Sequence, residues 1–209
     1  MSNKVRAIND LIPIAQGVGP VGVAVAAAED REVLLAVWEA TKAGIALPYL
    51  AGDERRIVEI AAVLDVPSAD TGSSEAARRA IEIVRSGRAA VLMKGRLCTA
   101  DLLRSVLDRE SGLRGHGLLS HLALVEVPGL DRLLYITDAG VVLSPTLEQK
   151  VEIVRNGVAV AHALGLTEPR VAILAAAEQV ESSNVSTVDA AALSKLAERG
   201  RIVGARVDG

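Results

Sequence analysis

Short apolar runs alternate with amphipathic segments along the first half of the chain. The run 21–28 precedes a helical pattern over 30–43 that stops at Gly44, and the run 45–50 precedes another over 54–64. Such alternation is typical of a mostly parallel sheet with helices on both faces. The sequence therefore predicts an α/β protein with mostly parallel sheets in α/β/α layers.

The composition favours close packing of helix on sheet. Of 209 residues 50% are hydrophobic, yet there is no Phe, one Trp and two Tyr, so small aliphatic side chains must fill the core. A net charge of −3 argues against nucleic acid or an anionic membrane as partner. No targeting or membrane-spanning pattern is present, and the single Cys98 fits a reducing compartment, so a cytoplasmic location is expected.

Three early glycines match a dinucleotide-binding pattern in spacing only. Gly17, Gly19 and Gly22 satisfy G-x-G-x-x-G, but the apolar run follows them, whereas that fingerprint needs a strand before it and a helix after it. We expect a flexible entry loop here and no nucleotide site.

The pattern changes after the Gly-rich link 111–117. Apolar runs over 122–127 and 133–137 flank the turn residues 128–131, which predicts a β-hairpin. A domain boundary is predicted near Pro145, dividing the chain into domains 1–145 and 146–209. The second domain is predicted to contain helix 147–164, strand 171–175, helix 188–197 and strand 202–207.

A basic turn between a strand and a helix is the main candidate site. Strand 89–93 leads into Lys94, Gly95 and Arg96, and Thr99 is placed to cap the next helix, which is predicted over 99–109. The free N–H groups and dipole of a helix N-terminus attract anions, and ligands of parallel sheets bind beyond the carboxyl ends of strands. These residues predict a phosphate site.

Two further residues belong to the same stretch. Arg104 can reach back toward the helix start and bind two phosphate oxygens at once; solvated surface cations are the alternative explanation of the basic residues. Cys98 would gain thiolate character before a helix, although a small buried hydrophobe is the more ordinary role.

Acidic residues follow other strands. Asp138 comes directly after strand 133–137 and is a candidate catalytic carboxylate, with a turn-forming Asp as the alternative. Glu178 and Glu181 come after strand 171–175 and could face a cleft between the two parts of the chain, although solvated loop charges are the favoured explanation. Two more strand ends lie at Gly52-Asp53 and Glu29-Asp30. The three histidines do not have metal-ligand spacing, so no metal site is predicted.

Several short motifs follow one another along the chain. They are Leu92-Met93-Lys94-Gly95, Thr99-Ala100-Asp101-Leu102, Leu118-Leu119-Ser120-His121, Val125-Glu126-Val127-Pro128-Gly129, Thr137-Asp138-Ala139, Leu147-Glu148-Gln149-Lys150-Val151-Glu152-Ile153 and Val188-Asp189-Ala190-Ala191-Ala192-Leu193. In this order they resemble the phosphate acetyl/butyryltransferase family, the butyryl branch in particular.

The resemblance implies an acyltransferase that converts acyl-CoA and phosphate to acyl phosphate and CoA. Coenzyme A is then a substrate, and no tightly bound cofactor is expected. It also implies two α/β/α domains with a cleft, as in isocitrate/isopropylmalate dehydrogenase-like folds, and a homo-oligomer. By its place in the helix, Arg104 matches an arginine of the acetyl branch that contacts phosphate, and Thr99 matches a hydroxyl-bearing helix start.

The chain departs from the family pattern at Asp208-Gly209. The family normally continues for a further third of its length, which in the acetyl branch carries a Ser-Arg pair and the proposed catalytic Asp. We therefore expect an incomplete second domain, and the activity of the 209-residue form stays open. A non-catalytic short relative that binds a CoA-type or phosphorylated ligand is the alternative function.

Overall fold

The computed structural model describes residues 5–64, 76–113, 115 and 117–209. The chain divides into two compact units, one of Ile12–Gly115 and one of Met1–Leu11 with His116–Gly209. This division lies before the boundary predicted near Pro145 and groups the hairpin with the second half of the chain. The predicted domains, 1–145 and 146–209, stay a prediction.

The unit Ile12–Gly115 is built on a three-stranded sheet with strand order β2-β1-β3, in which both pairs are parallel. The strands are β1 Val21–Ala26, β2 Ala46–Ala51 and β3 Val91–Lys94, and the helices are α1 Leu11–Val18, which starts one residue before the unit, α2 Arg31–Lys42, α3 Glu54–Leu64, α4 Ala76–Arg85 and α5 Thr99–Val106. The predicted parallel α/β pattern is confirmed.

The central strand β1 is buried on both faces because successive side chains of a strand point in opposite directions. Ala24 and Ala26 pack in a cluster with Leu102 of α5, whereas Val25 packs with Leu34 of α2 in another. All three strand residues are fully buried. Small side chains on one face let helices approach closely, as the lack of Phe suggested.

Three helices begin just after the carboxyl ends of these strands. Asp30 caps α2 by accepting from the N–H groups of Glu32 and Val33, and Asp53 accepts from the N–H of Arg56 in α3. The carboxylates at these two strand ends therefore serve the helices that follow. The third helix, α5, follows the basic turn.

The other unit contains the predicted hairpin, whose strands pair antiparallel, and a parallel strand pair with two helices. Its elements are a 3₁₀ turn Ile8–Asp10, strands β4 Ala123–Glu126, β5 Leu133–Ile136, β6 Arg170–Ala172 and β7 Arg206–Asp208, and helices α6 Leu147–Ala163 and α7 Val185–Glu198.

Helices α6 and α7 pack on one face of the β6–β7 pair. Val154 and Val158 of α6 and Leu193 of α7 form the buried cluster, against which the strand residues Val171 and Val207 pack. A capping box between Thr146 and Gln149 begins α6. This unit has one apolar layer between its helices and strands.

Some element bounds differ from the sequence prediction. The glycine stretch is not an entry loop: Gly17 lies in α1 and Gly22 in β1, where a Cβ would lie 2.1 Å from the carbonyl oxygen of Arg88. The order is thus helix then strand, the reverse of the dinucleotide fingerprint. Within the described ranges, no helix is both long and apolar enough to cross a membrane.

Candidate functional site

The basic turn is joined to the end of the central strand by its own backbone. The N–H of Gly95 donates to the carbonyl of Ala26 and that of Arg96 to the carbonyl of Ala27, each at 2.7 Å, and the N–H of Leu97 donates to Gly95 O at 3.0 Å. These three N–H groups are occupied. An anion at this turn must therefore find its donors elsewhere.

Gly95 has no room for a side chain. A Cβ at this position would lie 2.0 Å from Ala27 O and 2.8 Å from Ala26 O, so only glycine permits the close approach of the two backbones. Ala27 has a φ of 57°, a left-handed conformation that is costly for alanine. The turn is held tightly beside a strained residue.

The two cations of the turn have different surroundings. The Lys94 ammonium donates to the carbonyls of Gly95 and Leu97, both at 3.2 Å, so it closes the turn on itself. Arg96 is exposed, and its guanidinium has no partner among the described residues. Of the two side chains, that of Arg96 is the one available to bind an anion.

Thr99 is not the N-cap that the sequence predicts. Cys98 occupies the cap position with extended backbone and makes no side-chain capping bond, and Thr99 is the first helical residue. The N–H groups of Asp101 and Leu102 bond to Cys98 O, whereas those of Thr99 and Ala100 meet no acceptor among the described residues. The start of α5 thus keeps two backbone donors and the exposed Thr99 hydroxyl.

Arg104 does not point freely toward the helix start. Its Nη1 lies 2.7 Å from Oδ1 of Asp101 on the same face of α5, and both side chains are exposed. α5 ends at Val106 rather than continuing to Arg109 as predicted. Arg104 must leave Asp101 before it can bind a substrate oxygen.

Asp138 organises the loop after β5. Burial would raise the pKa of its carboxyl group, but hydrogen bonds from the backbone N–H groups of Val141, Gly140, His121 and Val142 outweigh it and hold the pKa below its ordinary value. Oδ1 accepts from Gly140 at 2.8 Å and Val141 at 3.0 Å. This carboxylate is ionised at neutral pH and is a weak base.

The remaining sequence candidates have local surroundings of their own. Glu178 and Glu181 are exposed loop residues, as expected. The Nε2–H of His162 donates to Gly204 O at 2.7 Å, and His116 lies outside the described residues. Across the described part of the chain, no group of three or more His, Cys, Asp or Glu side chains is placed to hold a metal ion.

The sequence placed Glu29 at the strand end after β1 but assigned it no role. Its Oε2 is buried and has no hydrogen-bond partner among the described residues. A Cβ at Gly52 would lie 2.1 Å from this oxygen, so the carboxyl group fills the space beside that glycine. The signal in the sequence was an acidic residue directly after a run of buried Ala and Val.

These observations define an α/β protein with a strand, a tightly held basic turn and a helix start that can accept an anion. The family described as "Phosphate acetyl/butaryl transferase" matches residues 61–209. The chain therefore belongs to the phosphate acetyl/butyryl transferase family.

Individual relatives agree with this assignment. A phosphate butyryltransferase of Clostridium beijerinckii is 45% identical over 193 residues, which cover 90% of this chain and 64% of the relative. A phosphate acetyltransferase of Thermotoga maritima is 39% identical, with coverage of 97% and 70%. The chain thus spans less than two thirds of the Clostridium relative's length.

A solved structure has the same fold. The branched-chain phosphotransacylase of Enterococcus faecalis V583 matches with a TM-score of 0.73 and 28% identity, over 90% of this chain and 67% of that one. The parallel α/β architecture is therefore shared with a phosphotransacylase.

Proposed function

We propose that the protein is a phosphate acyltransferase that exchanges an acyl group between CoA and phosphate. In the direction of acyl-CoA synthesis, the CoA thiolate attacks the carbonyl carbon of the acyl phosphate. A C–S bond forms, the C–O bond to phosphate breaks, and phosphate leaves with the electron pair. The observation that carries the proposal is the basic turn, inside the range that matches the family, at a helix start where no described residue accepts from the N–H groups of Thr99 and Ala100.

The phosphate group would bind at the start of α5. The N–H groups of Thr99 and Ala100 and the Thr99 hydroxyl supply donors, and the exposed Arg96 supplies charge. Gly95 and Lys94 act through the backbone: Gly95 allows the close approach to Ala27, and Lys94 holds the turn's carbonyls. This assigns each predicted binding residue a separate task.

Arg104 would complete the phosphate side as a clamp. On substrate binding its guanidinium exchanges the single hydrogen bond to the Asp101 carboxylate for phosphate oxygens, with which a guanidinium can form two parallel hydrogen bonds. Positive charge placed there stabilises the charge that develops as phosphate leaves. Arg104 is thus proposed as a catalytic residue whose guanidinium is paired with Asp101 until phosphate binds.

Asp138 keeps a proposed catalytic role, but as a fixed negative charge rather than a base. Its lowered pKa means that it holds a proton poorly at neutral pH. The hydrogen bonds from Gly140 and Val141 fix its direction. A carboxylate of this kind can orient a donor group of a substrate.

Butyryl-CoA is the proposed acyl donor. The Clostridium butyryltransferase is more similar to this chain than the Thermotoga acetyltransferase, at 45% against 39% identity, and the solved relative is described as a branched-chain phosphotransacylase rather than a phosphotransacetylase. Acyl-CoA, phosphate and acyl phosphate are then the partners. A cytoplasmic homo-oligomer with the two-domain, isocitrate/isopropylmalate dehydrogenase-like arrangement is part of the same proposal and rests on resemblance.

The test is turnover of butyryl-CoA with phosphate by the full-length protein, compared with acetyl-CoA. We expect CoA release that depends on both substrates and a higher kcat/KM for butyryl-CoA. If neither butyryl-CoA nor acetyl-CoA is turned over, the proposed acyl transfer is refuted. Calorimetric binding of CoA without turnover would instead support a non-catalytic binding protein.

A further inference from the structure

Glu29 is a half-buried acidic residue that the proposed reaction does not use. Its Oε2 is buried without a hydrogen-bond donor among the described residues, a costly state for a carboxyl oxygen. The oxygen occupies the space beside Gly52 that a Cβ would need. A buried carboxyl oxygen without a donor lowers stability, so the presence of Glu29 at this position needs another explanation.

The segment that carries Glu29 supports the basic turn. Ala27, two residues earlier, is left-handed, and its carbonyl accepts the N–H of Arg96. Ala28 donates to Ala51 O at 3.1 Å, so the segment is also tied to the end of β2, beside Gly52. The contact of Glu29 with Gly52 therefore lies next to the backbone that holds the turn.

The segment and the basic turn are in direct backbone contact. Gly95 approaches Ala27 so closely that a Cβ would lie 2.0 Å from the carbonyl oxygen. A shift of Ala27 must therefore move Gly95 and Arg96 with it. Strained residues persist at binding sites when the surrounding structure holds them in place.

We propose that Glu29 is a positioning residue for phosphate binding: packed over Gly52, it holds the segment Ala27–Asp30 in the conformation that sets the position of Gly95 and Arg96. The proposal rests on the proposed function and adds to it a residue that touches no substrate. The side chain acts through its shape, so Gln at this position can replace it.

The first experiment does not depend on activity. Amide hydrogen exchange of Gly95 and Arg96 is compared in the full-length protein and in the variants Glu29→Ala, Glu29→Gln and Gly52→Ala. We expect exchange at both amides to accelerate by about tenfold or more in Glu29→Ala and Gly52→Ala, and to stay unchanged in Glu29→Gln. Glu54→Ala, an exposed acidic residue after the neighbouring strand, is the matched control.

The second experiment measures steady-state kinetics of the same variants with butyryl-CoA and phosphate. Glu29→Ala and Gly52→Ala should raise the KM for phosphate by about tenfold and leave the KM for butyryl-CoA unchanged, whereas a merely structural role would lower kcat or the active fraction alone. Gly52→Ala should do less damage in a Glu29→Ala background than alone, because the oxygen 2.1 Å from its Cβ is gone and only the tighter contacts to Ala28 N at 3.1 Å and Ile57 Cδ1 at 3.2 Å remain.

Unchanged amide exchange in Glu29→Ala would overturn the proposal, and so would equal damage from Glu29→Gln and Glu29→Ala, which would assign the effect to charge. Altered exchange in a protein that shows no acyl transfer would leave the support role standing and refute the proposed function instead.

Discussion

Arg104 and Asp101 form an ion pair on the exposed face of α5, with Nη1 2.7 Å from Oδ1. The pair links the proposed phosphate clamp to an acidic residue in the first turn of the same helix. A phosphate that enters this site competes with Asp101 for the guanidinium. The affinity of Arg104 for phosphate therefore depends on how much more favourable that contact is than the exposed ion pair with Asp101.

Replacing Asp101 by Asn should strengthen phosphate binding. The substitution removes the competitor of Arg104 and a negative charge near the phosphate. Because exposed ion pairs contribute about 1 kcal/mol or less, we expect the KM for phosphate to fall by no more than about fivefold. Arg104→Ala should raise that KM or lower kcat. In an Arg104→Ala background, a benefit from Asp101→Asn that persists undiminished would contradict the competition.

Gly95→Ala should destabilise the protein. The new Cβ would lie 2.0 Å from Ala27 O, so the turn must move away from β1. Overpacking of this kind costs about 1–3 kcal/mol, measured as the free energy of unfolding in urea. Gly17→Ala is the control, because it has open space in α1 and replaces a poor helix former. Equal stability of the two variants would count against the close approach of Gly95 to Ala27.

The half-buried ion pair between α6 and α7 should contribute to stability. Lys150 Nζ lies 2.6 Å from Asp189 Oδ2, with side chains 23% and 15% exposed. Removing one partner should cost between about 1 and 3 kcal/mol, less than for a fully buried pair and more than for a surface pair. Urea unfolding of Lys150→Met, Asp189→Leu and the double variant measures the coupling. Additive losses would mean that the pair contributes nothing.

Asp138→Asn should weaken the pH dependence of stability at acid pH. The folded-state pKa of Asp138 lies below its ordinary value of 3.8, so its stabilising contribution is present above that value. The contribution is lost as the pH falls through the lower folded pKa, when the carboxylate must take up a proton. Urea unfolding of both proteins across this range should show the wild type losing more stability than the variant. The contribution of Asp108, whose pKa is also lowered, cancels in the comparison.

The layered core could be predicted from the sequence because β1 is apolar on both faces and bounded by turn residues. Periodicity also located α6 and the hairpin. It did not predict α1, since Gly17 and Pro13 within that segment disfavour a helix. Nor did it predict where α5 ends, because the ends of helices depend on local hydrogen bonds rather than on pattern.

The candidate site was predicted in position but not in detail. The order of strand, basic turn and helix was readable around Lys94. The sequence did not show that the N–H groups of Gly95 and Arg96 are already bonded to the carbonyls of Ala26 and Ala27. Those hydrogen bonds depend on the register of β3 beside β1. The contact of Glu29 with Gly52 joins residues from two strand ends, and only the fold brings them together.

Cys98 is the chain's single thiol, and it is exposed at the cap of α5. A disulfide reagent used to follow CoA release would therefore also label the protein, one residue from Thr99. Such a label would place a bulky group at the proposed phosphate site and slow the reaction that it was meant to report. Loss of the thioester absorbance is the safer signal, and the same thiol offers a natural attachment point for a fluorescent probe of anion binding.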